Sequence, residues 1–242
     1  MIEIIPAILP KDLDDLRDKM AHASGATPIV QIDVCDGKFV PSKTWPYVKG
    51  GMDEFARIIA EDEGFPFWES LDLEIDLMVK NPAEVIDGWI KAGAKRLVLH
   101  IESAPNILET IKKLREEYGT AKEETFGLEI GLALDLRTPN DEVFEALDLI
   151  DQDGDSIIDF VQFMGIENVG FQGQELDDLV FEKISDLRNL YPNIHISVDG
   201  GVNFDNASEL ISAGATRLVS GSALFESEDL AKAIYDLGNS GE

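Results

Sequence analysis

The sequence predicts an α/β protein built as a (β/α)8 TIM barrel, and three observations predict it. Short β-rich runs alternate with amphipathic helical runs along the whole chain, eight strand–helix pairs can be counted, and 242 residues is close to the length such a barrel needs. Alternation of this kind implies parallel strands joined by right-handed crossovers. An open doubly wound sheet is the competing arrangement. No stretch reads as a linker, so residues 1–242 read as a single barrel domain.

In chain order, the predicted strands cover 3–9, 29–35, 73–79, 96–101, 129–135, 160–165, 195–199 and 217–220. The helices that follow them cover 13–23, 53–61, 82–92, 107–118, 141–150, 179–190, 206–213 and 229–237. In the third pair, Pro82 suits a first helical position, with Asn81 as the cap before it. Gly93, Gly119 and Gly214 stand where the third, fourth and seventh helices should stop. Three longer irregular pieces remain, 37–52, 64–71 and 170–178. The first and last of these follow strands 2 and 6, at the C-terminal rim where barrels keep their active sites.

Strand periodicity sorts the side chains of each strand onto two faces. In strand 2, Ile32 and Val34 face the helices, while Gln31, Asp33 and Cys35 face the barrel. The same alternation turns Asp76 and Met78 inward on strand 3 and Asp199 inward at the end of strand 7. His100 closes strand 4 and Asp135 closes strand 5. Any one of these Asp residues reads equally well as a strand-end cap. Asp33, Asp76 and Asp199 together read as a functional site, because buried carboxylates are costly without a partner, water or a metal. Asp199-Gly200-Gly201 follows strand 7 and Gly221-Ser222 follows strand 8, the two loops that usually hold phosphate in such barrels. Gly170-Phe171-Gln172-Gly173-Gln174 after strand 6 is placed to close over a ligand.

Other features read as structural. Trp45, Trp68 and Trp89 read as packing residues, His22 as a surface residue of its helix, and Cys35 as a small inward packer. Asp151-Gln152-Asp153-Gly154-Asp155 has the acidity of a calcium loop, but its Gly comes too early and no Glu closes it.

Composition bounds the partners. Lys plus Arg number 20 and Asp plus Glu 48, a net charge of −28. Such a surface repels nucleic acid and anionic membranes. The single Cys excludes a disulfide framework, and the N-terminus lacks the basic start of a signal peptide. These features together predict a cytoplasmic location. The acidity reads as a solvated surface, suited to a salty cytoplasm or a habit of lineage. Stability should therefore rise with salt as self-repulsion is screened; a melting temperature that climbs between dilute and molar KCl is the expected result.

Several runs together resemble one family. Ile5-Pro6-Ala7-Ile8-Leu9, the run Ile32-Asp33-Val34-Cys35-Asp36-Gly37-Lys38-Phe39-Val40-Pro41, Asp76-Leu77-Met78-Val79 and Val198-Asp199-Gly200-Gly201-Val202 are similar to ribulose-phosphate 3-epimerases. So are His100-Ile101-Glu102, Gly170 to Gln174 and Gly221-Ser222-Ala223-Leu224-Phe225. The matches run in order over nearly the whole chain, and the long run after Ile32 is the most specific of them.

The resemblance implies a barrel of the ribulose-phosphate-binding type. It also implies an isomerase of carbohydrate metabolism that interconverts D-ribulose 5-phosphate and D-xylulose 5-phosphate through a metal-stabilised enediolate. Asp33 and Asp199 match the family's acid and base. The family's metal is held by those two Asp and two His, and the His positions are here Gln31 and Asp76. An all-oxygen set would favour Mg2+ or Mn2+ over Zn2+ or Fe2+. Substrate and phosphate contacts are implied for Met78, His100, Met164, Gly170, Gly173, Gly200, Gly201, Gly221 and Ser222. A homo-oligomer is also implied by analogy. Further departures are Ala7 for a Ser, Cys35 for a Met, Asp135-Leu136 for Asn-Pro, and a strand-6 loop one residue longer without its Pro. A lyase or decarboxylase of a related phosphate-binding barrel, or a phosphosugar-binding protein without catalysis, are the alternatives. The lyases usually carry a Lys between two strand-borne Asp, and none lies between Asp33 and Asp36.

Overall fold

A computed structural model describes residues 2–120, 127–151, 154 and 156–241. Eight parallel strands close into a barrel in sequence order, each pairing with the next and the last with the first. They are β1 (Glu3–Ile8), β2 (Ile29–Cys35), β3 (Asp72–Met78), β4 (Ala94–His100), β5 (Glu129–Leu134), β6 (Phe160–Met164), β7 (His195–Asp199) and β8 (Arg217–Ser220). The helices are α1 (Leu13–Ala23), α2 (Gly51–Ile59), α3 (Ile86–Lys91), α4 (Ile107–Tyr118), α5 (Phe144–Asp148), α6 (Leu179–Leu190), α7 (Ala207–Ala213), α8 (Ser222–Phe225) and α9 (Leu230–Gly238). This is the predicted architecture, with α8 added as a short turn after β8.

Local chemistry explains the helix limits. Asp12 caps α1 by accepting from Asp15 N at 2.8 Å, and Leu13, Leu16, Met20 and Ala23 form its buried stripe. Gly93, Gly119 and Gly214 end their helices with positive φ, as expected. Two expectations need correction. Asn81 does not cap through its side chain: it sits in the left-handed region (φ 55°), and Pro82 opens only a single 3-10 turn before α3. Residues 141–150 likewise divide into a 3-10 turn and the short α5.

Outward-facing aliphatics of the strands, such as Ile32, Val34, Ile75, Leu77, Leu97 and Leu99, form one continuous core with the helices. Trp45 and Trp89 are buried in that core, with Phe55 stacked 4.4 Å from Trp89. Trp45 Nε1 also donates to Glu54 at 3.0 Å, which pins the long loop after β2 to α2. Trp68 does not pack as expected; it is 63% exposed. Gln152, Asp153 and Asp155 of the acidic run lie outside the described residues, as does Met1. Among the described residues, no helix is long and apolar enough to cross a membrane.

The barrel interior is unusually ionic at its N-terminal end. Glu74, fully buried, pairs with Arg217, which also reaches Glu3 at 3.0 Å. Arg96 joins the cluster through Glu3, Glu74 and Glu129. The Arg217 guanidinium lies 3.8 Å from the Phe160 ring centroid. That ring in turn fills the space beside Gly131, where a Cβ would come within 2.2 Å of it.

Candidate active site

At the C-terminal end the interior becomes a polar floor beneath a cavity of about 300 Å³. β2 and β3 pair with Asp33 opposite Asp76, and β6 and β7 with Met164 opposite Asp199. Closure of the ring then brings one oxygen each of Asp33, Asp76 and Asp199 within 4.8 Å of one another. Gln31 lies between them. Its Nε2 donates to Asp33 Oδ1 at 2.8 Å and to Asp199 Oδ2 at 2.7 Å. Gln162 of β6 donates to Asp76 Oδ2 at 3.3 Å and is held by the Ser197 hydroxyl at 3.1 Å. His100 Nε2 meets Asp76 Oδ1 at 2.9 Å.

Three buried carboxylates this close cannot all ionise cheaply. Burial, then the Asp199 and Asp76 charges, push Asp33 well above the ordinary carboxylate range. Burial and the Asp76 charge push Asp199 up to about 7. Burial and mutual charge thus favour the protonated form of both groups relative to a free carboxylate. Burial alone would lower the His100 pKa, but the adjoining Asp76 carboxylate outweighs it and raises the ring to about 9. The Cys35 thiol is pushed up to about 12, chiefly by burial, and so is no nucleophile at neutral pH.

The same floor suits a hard cation. It offers three carboxylates, and Gln31 Oε1 is a buried acceptor with no hydrogen-bond partner. These are the oxygen donors that Mg2+ and Mn2+ prefer.

Ten of the thirteen candidate residues line the cavity: Asp33, Met78, Met164, Gly170, Gly173, Asp199, Gly200, Gly201, Gly221 and Ser222. Gln31, Asp76 and His100 are fully buried and do not line it; Gln31 donates to Asp33 and Asp199, and His100 meets Asp76. Cys35, Met78 and Met164 cluster with Val40 and Val169, and this apolar wall keeps the carboxylates in a low-dielectric setting. The opposite end is glycine. Gly201 has φ 74°, and a Cβ there would meet the Leu176 backbone nitrogen at 2.6 Å, so only Gly lets the loops after β6 and β7 pack. Among the described lining residues none is Lys or Arg.

Gln162 was not singled out from the sequence, although it shares the inward face of its strand with Met164. Gln172, in the run placed to close over a ligand, does line the cavity. Its Nε2 reaches Ala7 O at 3.4 Å and closes the β6–α6 loop against β1.

Comparison with known proteins agrees with this geometry. Among solved structures, the fold matches a KGPDC from Streptococcus mutans (TM-score 0.65, 13% identity, 99% of this chain and 96% of that one). It also matches a 3-hexulose-6-phosphate synthase from Salmonella typhimurium (TM-score 0.65, 13% identity, 99% and 98%). At such identity these show the fold alone. Curated sequences are nearer. The ribulose-phosphate 3-epimerase of Bacillus subtilis is 30% identical over 99% of this chain and 100% of its own. The chloroplastic ribulose-5-phosphate-3-epimerase of Arabidopsis thaliana is 31% identical over 96% and 75%. The model of the ribulose-phosphate 3 epimerase family matches residues 3–225. With that match over nearly its whole length, this chain belongs to the ribulose-phosphate 3-epimerase family, epimerases acting on carbohydrates.

Proposed function

We propose that this chain interconverts D-ribulose 5-phosphate and D-xylulose 5-phosphate, with Asp33 and Asp199 as the two proton carriers. One observation carries the reading. Two carboxylates with raised pKa sit on the floor of a cavity whose other end is made of glycine loops. A phosphate held by backbone N–H groups around Gly200, Gly201, Gly221 and Ser222 would place the sugar over that floor. The ionised Asp takes the C3 proton. The protonated Asp delivers its own to the other face of the enediolate, and the two exchange roles in the reverse direction. Gln31 holds both carboxylates in register through its amide. Met78 and Met164 exclude water from the carbon that changes hand. A divalent cation would be held by Asp33, Asp76, Asp199 and the Gln31 oxygen, and would supply charge stabilisation to the developing oxyanion. Mg2+ or Mn2+ is the ion of choice. The acidic, disulfide-free chain suits a cytoplasmic setting.

The reading is tested by deuterium exchange at C3. Metal-stripped protein is incubated with D-ribulose 5-phosphate in D2O, with and without Mg2+ or Mn2+, and followed by NMR. Deuterium incorporation together with xylulose 5-phosphate is expected, faster with the metal. Folded protein that exchanges nothing under any metal or salt condition would sink the proposal.

The raised pKa values also set a pH dependence. A carboxyl whose folded pKa lies above its unfolded one stabilises the fold at low pH, and that contribution is lost as pH rises through the folded value. For Asp199 the upper limit is about 7. In EDTA the melting temperature should therefore fall between about pH 4 and pH 8. Mg2+ or Mn2+ should restore most of the loss at the upper end, and Asp199→Asn should flatten the profile.

A further inference from the structure

Beside the carboxylate floor lies a second cluster that proton transfer leaves unused. His100 ends β4, Glu102 follows it, and Asp135 follows β5. A ring nitrogen of His100 and one oxygen each of Glu102 and Asp135 lie within 4.8 Å of one another. The three are already oriented. His100 Nε2 is occupied by Asp76 Oδ1 at 2.9 Å. Glu102 Oε1 accepts from Asp135 N at 2.9 Å and from the Thr138 hydroxyl.

Two atoms in this group have no partner. His100 is fully buried, yet its Nδ1 makes no hydrogen bond, and the buried Asp135 Oδ1 makes none either. Lys183 donates to the Thr138 carbonyl and does not satisfy Asp135 Oδ1. Unmet buried polar atoms are costly, and each of these two calls for a partner. An imidazole whose other ring nitrogen is fixed by a carboxylate is the usual form of a metal-ligating His. Once an ion displaces the Nδ1 proton, the neutral ring with Asp76, Glu102, Asp135 and Lys183 leaves a net charge of about −2, which matches a divalent ion.

We propose that His100 Nδ1, Glu102 and Asp135 form a second cation site, distinct from the Asp33, Asp76 and Asp199 floor. One imidazole nitrogen and two carboxylates suit a borderline ion such as Zn2+ better than Mg2+. Glu102 is exposed and gives the ion its entry from solvent. Asp76 links the two places, with Oδ1 on His100 and Oδ2 on Gln162. An ion on Nδ1 therefore fixes the orientation of Asp76, and His100 acts here as a ligand and positioning residue.

The test reads the ring and not turnover, so it stands or falls apart from the epimerase reading. Metal-stripped full-length chain is saturated with Mg2+ and titrated with Zn2+. The ring nitrogens of its three His, at 22, 100 and 195, are followed by long-range 1H–15N NMR. The expected result is a saturable shift of His100 Nδ1 with one equivalent. In Glu102→Gln and Asp135→Asn the Zn2+ affinity should fall roughly tenfold or more while melting shows both folded. A His100 ring that ignores Zn2+ overturns the proposal. So does a shift unchanged in both variants, or one lost in Asp33→Asn but kept in Glu102→Gln, since that would place the ion on the carboxylate floor.

Discussion

Asp199→Asn should lower kcat for epimerisation by roughly 10³-fold, within the range that a positioned acid–base group supplies. Asp33→Asn should do the same. The two losses should differ in kind. In each variant one carboxylate still faces the substrate, so each should still exchange the C3 proton of one epimer with D2O while failing to convert it. Asp33→Asn and Asp199→Asn should favour opposite epimers. Wash-in of deuterium from ribulose 5-phosphate and xylulose 5-phosphate, measured separately, checks this. Equal loss of exchange from both epimers in both variants would end the two-base assignment. The same substitutions should stabilise the metal-free fold at pH 8. They remove one of three crowded carboxylates and keep its volume, and about 1 kcal/mol corresponds to about 2–4 °C in a domain of this size. A variant that is less active and more stable is the signature of a group kept for function.

Arg217→Met should be the most damaging single change away from the cavity. Glu74 is fully buried and Arg217 is 4% exposed, and burial holds Glu74 above the ordinary carboxylate range even with Arg217 and Arg96 beside it. Removing Arg217 leaves that charge only the longer contact to Arg96, at 3.6 Å. The expected cost is about 3–5 kcal/mol, or roughly 10 °C in melting temperature. Glu74→Met combined with Arg217→Met should recover most of it, because an apolar pair of similar volume needs no solvation. Thermal melts of the single and double variants decide the matter. A single variant that melts with the parent would show the pair to be idle.

The strands were legible because alternation of inward and outward residues survives in all of them, and six of the eight helices lie close to their predicted limits. The third and fifth helices were overextended. Pro82 and Pro139 each open a 3-10 turn there, and amphipathic spacing does not distinguish such a turn from a full helical start. Asp33, Asp76 and Asp199 could be placed inward one strand at a time. Their grouping at one rim was legible too; their close approach was not, since it depends on ring closure and on the register of β2 with β3. The contact of His100 with Asp76 was hidden for the same reason, and by a register irregularity at Leu73 and Glu74 between β3 and β4. The Glu74–Arg217 pair spans opposite parts of the chain, and no local pattern announces it. Trp68 failed because a large aromatic in a loop carries no periodicity to say which way it faces.

The cavity wall without Lys or Arg has a kinetic consequence. A sugar phosphate approaches as a dianion, and the protein it approaches carries a net charge of −28. No Lys or Arg side chain in the described lining offsets that repulsion, so encounter should be slowed at low ionic strength and should quicken as salt shortens the Debye length. Capture, more than chemistry, should then be the step that responds to the ionic strength of the medium.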